Sequence, residues 1–206
     1  RGTIEWSYDL LDAGERRLFR RLSVFAGGCS YEAAEELCGA GPDTLQSLID
    51  KSLVRRRDTA FGPRYWMLET IREYASERLE EGGEAASLYV RHADWCCKLT
   101  DRIGVGPWLT DEEFRGFAYD YDNVRVALAW AWRNGDDERA LRMGCHRFWA
   151  RQGLFNDAVA WLEAATPRIA SAEAPVHLLT LKAAGAIAFC VVADTERANR
   201  YWARAL

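Results

Sequence analysis

The first eighty residues combine short stretches of helical apolar spacing with one stretch of strand-like spacing. Apolar residues three and four positions apart predict helices over about residues 13–25, 31–38, 43–53 and 68–79. Between the last two, residues 53–57 and 64–67 flank the Gly62-Pro63 pair and predict a β-hairpin. Three short helices, a hairpin and another helix follow the order of a winged helix-turn-helix domain, predicted here for residues 1–82.

Residues 83–206 show helical spacing throughout and no strand alternation, which predicts antiparallel helical hairpins joined by short turns. The predicted helices cover about residues 84–103, 110–119, 121–134, 136–152, 155–166, 176–192 and 195–206. The fold class is therefore mainly α, with a winged helix followed by a helical domain. Because residue 206 falls inside a helical pattern, we expect the domain to be truncated there.

An internal repeat lies in the second half. Ala158-x3-Leu162-x2-Ala165 recurs forty positions later as Ala198-x3-Trp202-x2-Ala205. Small residues at such positions let two helices approach closely, as in solenoids of helical hairpins such as tetratricopeptide repeats. Gly185 is the predicted small residue in the first helix of the last hairpin. The second domain is therefore predicted to be tetratricopeptide-like.

Composition excludes several classes of protein. The net charge is −4, so the chain is not a polybasic nucleic-acid coat. No apolar run reaches membrane-spanning length, which favours a cytoplasmic protein without a membrane partner. None of Lys51, Lys98 and Lys182 follows a glycine and precedes Ser or Thr, so no phosphate-binding P-loop is present.

No pattern indicates catalysis or a closed metal site. His92 and Cys96 stand four positions apart, and Cys145-His146 is the other adjacent Cys/His pair, but no C-x-x-C spacing accompanies them. Motifs for hydrolases and metalloproteases are missing as well. The segment is therefore predicted to be non-catalytic, with no metal and no cofactor of its own.

Several segments together resemble one family of proteins. They are IEWSYDLL (4–11), RRLFRRLSVFAGG (16–28), DKSLV (50–54), MLETIREYA (67–75) and YDNVRVAL (121–128). This string resembles the region after the nucleotide-binding domain in bacterial STAND (signal-transduction ATPase with numerous domains) regulators. These are large NB-ARC/AAA-like transcriptional regulators of the LuxR and AfsR/SARP types.

The resemblance implies an ATPase module upstream of Arg1 that binds ATP or ADP. It implies that this segment couples nucleotide state to the sensing of a protein or small-molecule inducer. The partners would be the upstream ATPase domain, the inducer, and DNA through other domains. Many relatives carry a Met-His-Asp motif whose His contacts the ADP phosphate. The matching positions here are Met67, Leu68 and Glu69, and Leu68 cannot donate a hydrogen bond.

Two functions remain open for the arginines of the winged helix. They either dock on another domain or contact DNA phosphates. The candidates are Arg16, Arg17, Arg20, Arg21, Arg55, Arg56, Arg57 and Arg64. The third helix, which would enter the major groove, carries Asp43, Asp50 and Lys51 and no arginine for guanine. This charge pattern favours docking, with phosphate contacts through the wing as the alternative.

The helical half is rich in aromatic residues, most of which should be buried in the core. A solenoid groove often uses a few aromatic side chains to bind a ligand or peptide. The candidates for such a groove are Trp149, Trp161 and Trp202.

Overall fold

The computed structural model of the chain describes residues 2–103, 110–144, 149 and 153–206. The chain divides into two compact units. The first comprises Arg1–His92 together with Tyr119–Asn123, and the second comprises Ala93–Ala118 together with Val124–Leu206. A winged helix-turn-helix with a small two-stranded sheet occupies the first unit and helices follow it, which confirms the predicted fold class.

The first unit contains the elements of the winged helix in the predicted order. They are α1 (Gly2–Asp9), α2 (Ala13–Leu22), α3 (Tyr31–Cys38), α4 (Pro42–Asp50), β1 (Arg55–Thr59), β2 (Gly62–Trp66) and α5 (Glu69–Glu81). Helix α1 was not predicted. Helix α2 ends earlier than predicted because Ser23 turns its hydroxyl back to the carbonyl oxygen of Arg20. Helix α4 also ends early, and Ser52 follows it with a positive φ of 59°.

The core of this unit forms where α2 packs against α4 and α5. Phe19 is fully buried and contacts the rings of both Tyr8 and Tyr74, with ring centroids 5.5 and 6.5 Å away. Leu48 and Leu79 are fully buried as well. Each large apolar side chain buried in this way contributes roughly 1.5–3 kcal/mol to stability.

The sheet is a tight antiparallel hairpin. Arg55 pairs with Trp66, and the register runs to Thr59 opposite Gly62. The connecting turn is therefore shorter than the six residues of the predicted loop. On its other edge, β2 exchanges two backbone hydrogen bonds with Cys29, at 2.8 and 2.9 Å through Tyr65. Strand β1 is therefore the free edge and forms the wing.

Among the residues that the structure describes, the second unit contains helices joined by turns and no strand. Its elements are the end of α6 (Ala85–Ile103), α7 (Asp111–Ala118), most of α8 (Tyr121–Arg133), α9 (Asp137–Gly144), α10 (Phe155–Ala165), a 3₁₀ turn (Ile169–Ser171), α11 (Ala174–Cys190) and α12 (Thr195–Ala203). Arg139 and Arg142 of α9 pair with Asp94 and Asp101 of α6. Helix α11 packs against α9, α10 and α12.

A glycine and a tryptophan pack together twice in this unit. Gly144 of α9 lies against the indole of Trp161, and Gly185 of α11 lies against the indole of Trp202. A methyl group at either glycine would overlap the facing ring. The two tryptophans are 41 positions apart, so the structure matches Trp202 with Trp161 rather than with Leu162. The predicted role of Gly185 as the close-approach residue is confirmed, whereas the tetratricopeptide-like assignment stays a prediction.

Candidate functional site

Helix α2 begins at a capping box that also anchors α4. The side chain of Asp12 accepts from the backbone N–H of Glu15, and Glu15 accepts in return from the N–H of Asp12, both at 2.8 Å. The carboxylate of Glu15 also accepts hydrogen bonds from Ser47 and Lys51 of the α4 segment. Because Glu15 is 6% exposed, this small buried cluster fixes α4 against α2.

The Glu15 cluster gives the fold a defined acid dependence. Hydrogen bonds from Lys51 and then Ser47 lower the pKa of Glu15 from 4.5 to about 2. A carboxyl whose pKa is lowered by folding stabilises the folded state at pH values above its pKa in the unfolded chain. That contribution is lost as the pH falls from about 4.5 through about 2. We expect urea denaturation to show this loss in the wild type and a smaller one in Glu15→Gln, which is itself destabilised by about 1–3 kcal/mol. Equal acid sensitivity in both proteins would contradict this assignment.

The helix that would enter a DNA groove offers little to DNA. Asp43, Gln46 and Asp50 are exposed along α4, and the amide of Gln46 donates to Asp50 at 2.7 Å. Lys51, the cation of this segment, is paired with Glu15. The exposed surface of α4 is therefore acidic, and Gln46, Asp50 and Lys51 are engaged within the protein.

The wing carries three consecutive exposed arginines. Arg55, Arg56 and Arg57 are exposed on β1. Arg56 pairs with Asp58 at 2.9 Å, and the guanidinium of Arg57 lies over the ring of Trp66 at 5.6 Å. Arg55 and Arg57 belong to one face of this free edge strand and Arg56 to the other, and exposed guanidiniums of this kind suit an acidic partner or phosphates.

Arg64 does not belong to this surface, although the sequence placed it there. It is 8% exposed, and its Nη2 donates to Asp120 at 2.6 Å, to the carbonyl oxygen of Tyr119 at 2.8 Å and to that of Gly28 at 3.2 Å. Its predicted contact with DNA or with another domain is therefore wrong. Side chains alternate along β2, and this one points toward residues 119–123, where the buried guanidinium finds its partners.

Residues 119–123 close the unit at the turn before α3. Asn123 is fully buried, and its Nδ2 donates to the carbonyl oxygen of Gly28 at 2.8 Å. Its Oδ1 accepts from the N–H of Gly27 at 3.4 Å. The structure thus brings together two of the segments that carried the family resemblance. We call Arg64, Asp120, Asn123 and the Gly27-Gly28 turn the clasp.

The α2 arginines fall into three environments. Arg20 and Arg21 both pair with Glu84. Burial opposes ionisation of that carboxyl, yet the two guanidiniums hold its pKa below the usual value. Arg16 lies over the ring of Tyr8 at 5.4 Å, while Arg17 is exposed and forms no ion pair with any described residue.

The positions that match the Met-His-Asp motif carry no free polar group. Leu68 caps α5 with its backbone and is 40% exposed. Glu69 accepts from the Nε of Arg72 at 2.9 Å, which lowers the pKa of Glu69. Met67 contributes to a small apolar cavity with Tyr65 and Trp66. The geometry therefore offers no donor for a phosphate at Leu68.

Two of the three groove candidates belong to the core. Trp149 and Trp161 are each 2% exposed, and the indole N–H of Trp161 donates to the carbonyl oxygen of Ala140 at 3.2 Å. Their predicted role as groove contacts is wrong because each ring fills space between helices. Trp202 is 36% exposed and lies beside Phe189, with ring centroids 5.8 Å apart.

Metal-binding clusters and membrane-spanning helices are both missing from the described residues. The described ranges contain no group of three or more His, Cys, Asp or Glu side chains arranged to hold a metal. His92 is buried, and its burial lowers its pKa to about 4. Cys145-His146 lies outside the described residues. In the part of the chain that the structure describes, no helix has both the length and the apolar character to span a bilayer.

Comparison with known proteins places part of the chain in a described domain family. Residues 11–80 match the winged helix-turn-helix domain. The chain is 32% identical over 171 residues to "Putative HTH-type transcriptional regulator Rv0890c" of Mycobacterium tuberculosis, covering 78% of this chain and 19% of that protein. It is 34% identical over 99 residues to "Uncharacterized protein Rv0894" of the same organism, covering 44% of this chain and 25% of that protein. The chain thus spans a quarter or less of the length of these relatives. No solved structure matches it significantly.

Proposed function

We propose that this chain is a non-catalytic regulatory segment of a larger cytoplasmic transcriptional regulator. The winged helix and the name of the M. tuberculosis relative support a role in transcriptional regulation. The resemblance to STAND regulators supports the finer proposal. In it, the segment couples the ATP or ADP state of an upstream domain to an inducer bound by the helical repeats.

The acidic surface of α4 is the main observation in favour of docking on a protein. It disfavours the reading of DNA bases by this winged helix. Specific readout needs donors such as arginine aimed at base edges, and affinity for a duplex rests mostly on phosphate neutralisation. Helix α4 exposes Asp43 and Asp50, and Lys51 is engaged by Glu15. A duplex would be repelled by this helix.

Docking in this proposal uses the wing. Arg55, Arg56 and Arg57 present their guanidiniums from a rigid edge strand, and guanidinium–carboxylate pairs are geometrically specific. The partner is an acidic surface of the upstream nucleotide-binding domain. Leu68 stands where many relatives have the His that contacts the ADP phosphate, and it cannot make this contact. In the proposal, the wing senses the nucleotide state instead, through its contact with the nucleotide-binding domain.

The second candidate function is contact with DNA phosphates through the same wing. The observation that favours it is the exposure of three adjacent arginines on the free edge of the sheet. Such contacts would be independent of base sequence and strongly dependent on salt. The intact regulator would still need another domain to select a promoter.

The test replaces Arg55, Arg56 and Arg57 together by alanine and measures binding to the upstream nucleotide-binding domain with ADP and with ATP. We expect the triple variant to bind at least tenfold more weakly because three charge-assisted contacts are lost. Stability should change little, since exposed side chains contribute within about 0.5 kcal/mol. A matched control replaces the exposed Arg115, Arg125 and Arg133 of the second unit.

Duplex DNA separates the two candidates. Under the docking proposal, random duplex binds weakly at physiological salt and no sequence is preferred. Under the second candidate, duplex binding is measurable, and the slope of log affinity against log salt falls by about three units in the triple variant. Equal binding of the nucleotide-binding domain by wild type and triple variant would overturn docking through the wing.

A further inference from the structure

A second cationic feature lies on α2, apart from the wing. A cavity of about 560 Å³ that is open to solvent is lined by Leu11, Ala13, Arg16, Arg17 and Arg20. We propose that this cavity binds a small ligand through a phosphate group. The proposal goes beyond the proposed function, which assigns no ligand to this surface.

The local charge is not balanced within the protein. Arg20 and Arg21 share one carboxylate, that of Glu84. Arg17 is exposed and forms no ion pair with a described residue. Arg16 and Arg20 are four positions apart on the helix, where like charges repel. An anion in the cavity would relieve this repulsion.

Two acidic groups at the start of α2 are engaged outside the cavity. Asp12 directs its carboxylate to the backbone N–H of Glu15, and Glu15 is occupied by Ser47 and Lys51. Asp9 contributes its backbone carbonyl to Arg16 at 2.7 Å. The cavity is therefore a positively charged patch on a domain that is negative as a whole. Residues 1–81 carry 12 basic and 15 acidic side chains.

Two of the three arginines are held in place. Arg16 stacks on Tyr8 and donates from Nη2 to the carbonyl oxygen of Asp9. Its Nε is buried without a hydrogen-bond acceptor, so its charge is incompletely compensated. Arg20 is fixed by two contacts to Glu84. Preorganised guanidiniums lose little conformational entropy on binding an oxyanion.

The shape and chemistry of the cavity indicate a small phosphorylated ligand. Its volume lies within the range of small-molecule sites, roughly 300–1,000 Å³. Guanidinium forks match phosphate oxygens in pairs, and a phosphate dianion accepts from more donors than a carboxylate does. Leu11 and Ala13 supply an apolar part of the lining for the body of the ligand.

The test titrates the whole chain with inorganic phosphate and pyrophosphate, using calorimetry and backbone NMR shifts. We expect saturable pyrophosphate binding, with shifts concentrated in residues 11–20. Arg17→Gln should weaken it about tenfold, the effect of one charge-assisted hydrogen bond. Arg17 is exposed and makes no ion pair with a described residue, so this variant should fold normally. Arg102→Gln, an exposed arginine of α6, is the matched control and should bind like the wild type.

Three outcomes would overturn the proposal. One is the absence of saturable binding by either probe, and another is binding that Arg17→Gln leaves unchanged. The third is a duplex DNA or a glutamate-rich peptide that binds tightly at residues 11–20 and displaces pyrophosphate, since the cavity would then serve a macromolecule. The wing variant at residues 55–57 should bind pyrophosphate normally, so this result is independent of the proposed function.

Discussion

Replacement of Gly28 by alanine is expected to lower the free energy of unfolding by about 3 kcal/mol or more. Gly28 has a φ of +77°, and a Cβ there would stand 2.5 Å from the carbonyl oxygen of Tyr65 and 2.8 Å from the Cβ of Trp66. A left-handed conformation costs an L-residue about 1–2 kcal/mol, and overpacking adds roughly 1–3 kcal/mol. Backbone atoms of β2 cannot move aside without breaking the pairing with Cys29.

Urea denaturation measures this effect, and hydrogen exchange of the Cys29 and Tyr65 amides locates it. The matched control is Gly62→Ala, because Gly62 also has a positive φ, of 96°, but open space around its Cβ position. That variant should lose only the conformational part, about 1–2 kcal/mol. Equal losses in the two variants would mean that the close approach at Gly28 does not govern stability.

Replacement of Arg64 by methionine is expected to destabilise the protein by about 3–5 kcal/mol. The change leaves Asp120, with a side chain 14% exposed, as a carboxylate without its cation. Removing one partner of a buried pair carries a penalty of this size. The carbonyl oxygen of Tyr119 loses its donor at the same time.

The control for Arg64 lies directly across the hairpin. Arg57 pairs with Arg64 in the register but is exposed, so Arg57→Met should change stability by less than about 0.5 kcal/mol. Thermal and urea denaturation of both variants give the comparison. A double-mutant cycle with Asp120→Asn should show a coupling energy of about 1–3 kcal/mol. Additive effects would show that the pair does not act as a unit.

Local patterns were enough to predict the winged helix. The capping box at Asp12 and Glu15 and the hairpin turn just before Gly62 each act within a few residues of chain. Such signals depend on hydrogen bonds between the backbone and side chains that are close in sequence. Helix α1 lacks this kind of signal: in the structure it is held by Tyr8, whose contacts with Phe19 and Tyr74 are tertiary.

The sequence does not predict which partner each arginine contacts. Arg55, Arg56, Arg57 and Arg64 look alike as a basic cluster, yet only the fold shows that one of them is buried against Asp120. Likewise, Trp161 and Trp202 occupy equivalent places in the repeat but differ in exposure, 2% against 36%. Burial of such side chains depends on long-range packing, which periodicity does not encode.

The clasp also has a consequence for how the chain acquires its structure during synthesis. Asn123 meets Gly28 across 95 residues, so all of α5, α6 and α7 must leave the ribosome before the turn can be completed. Until then Arg64 lacks its acceptors at Tyr119 and Asp120. Contacts of such separation form late because a long loop must first close. A nascent winged helix would therefore stay open to other partners, including chaperones, while residues 82–123 are translated.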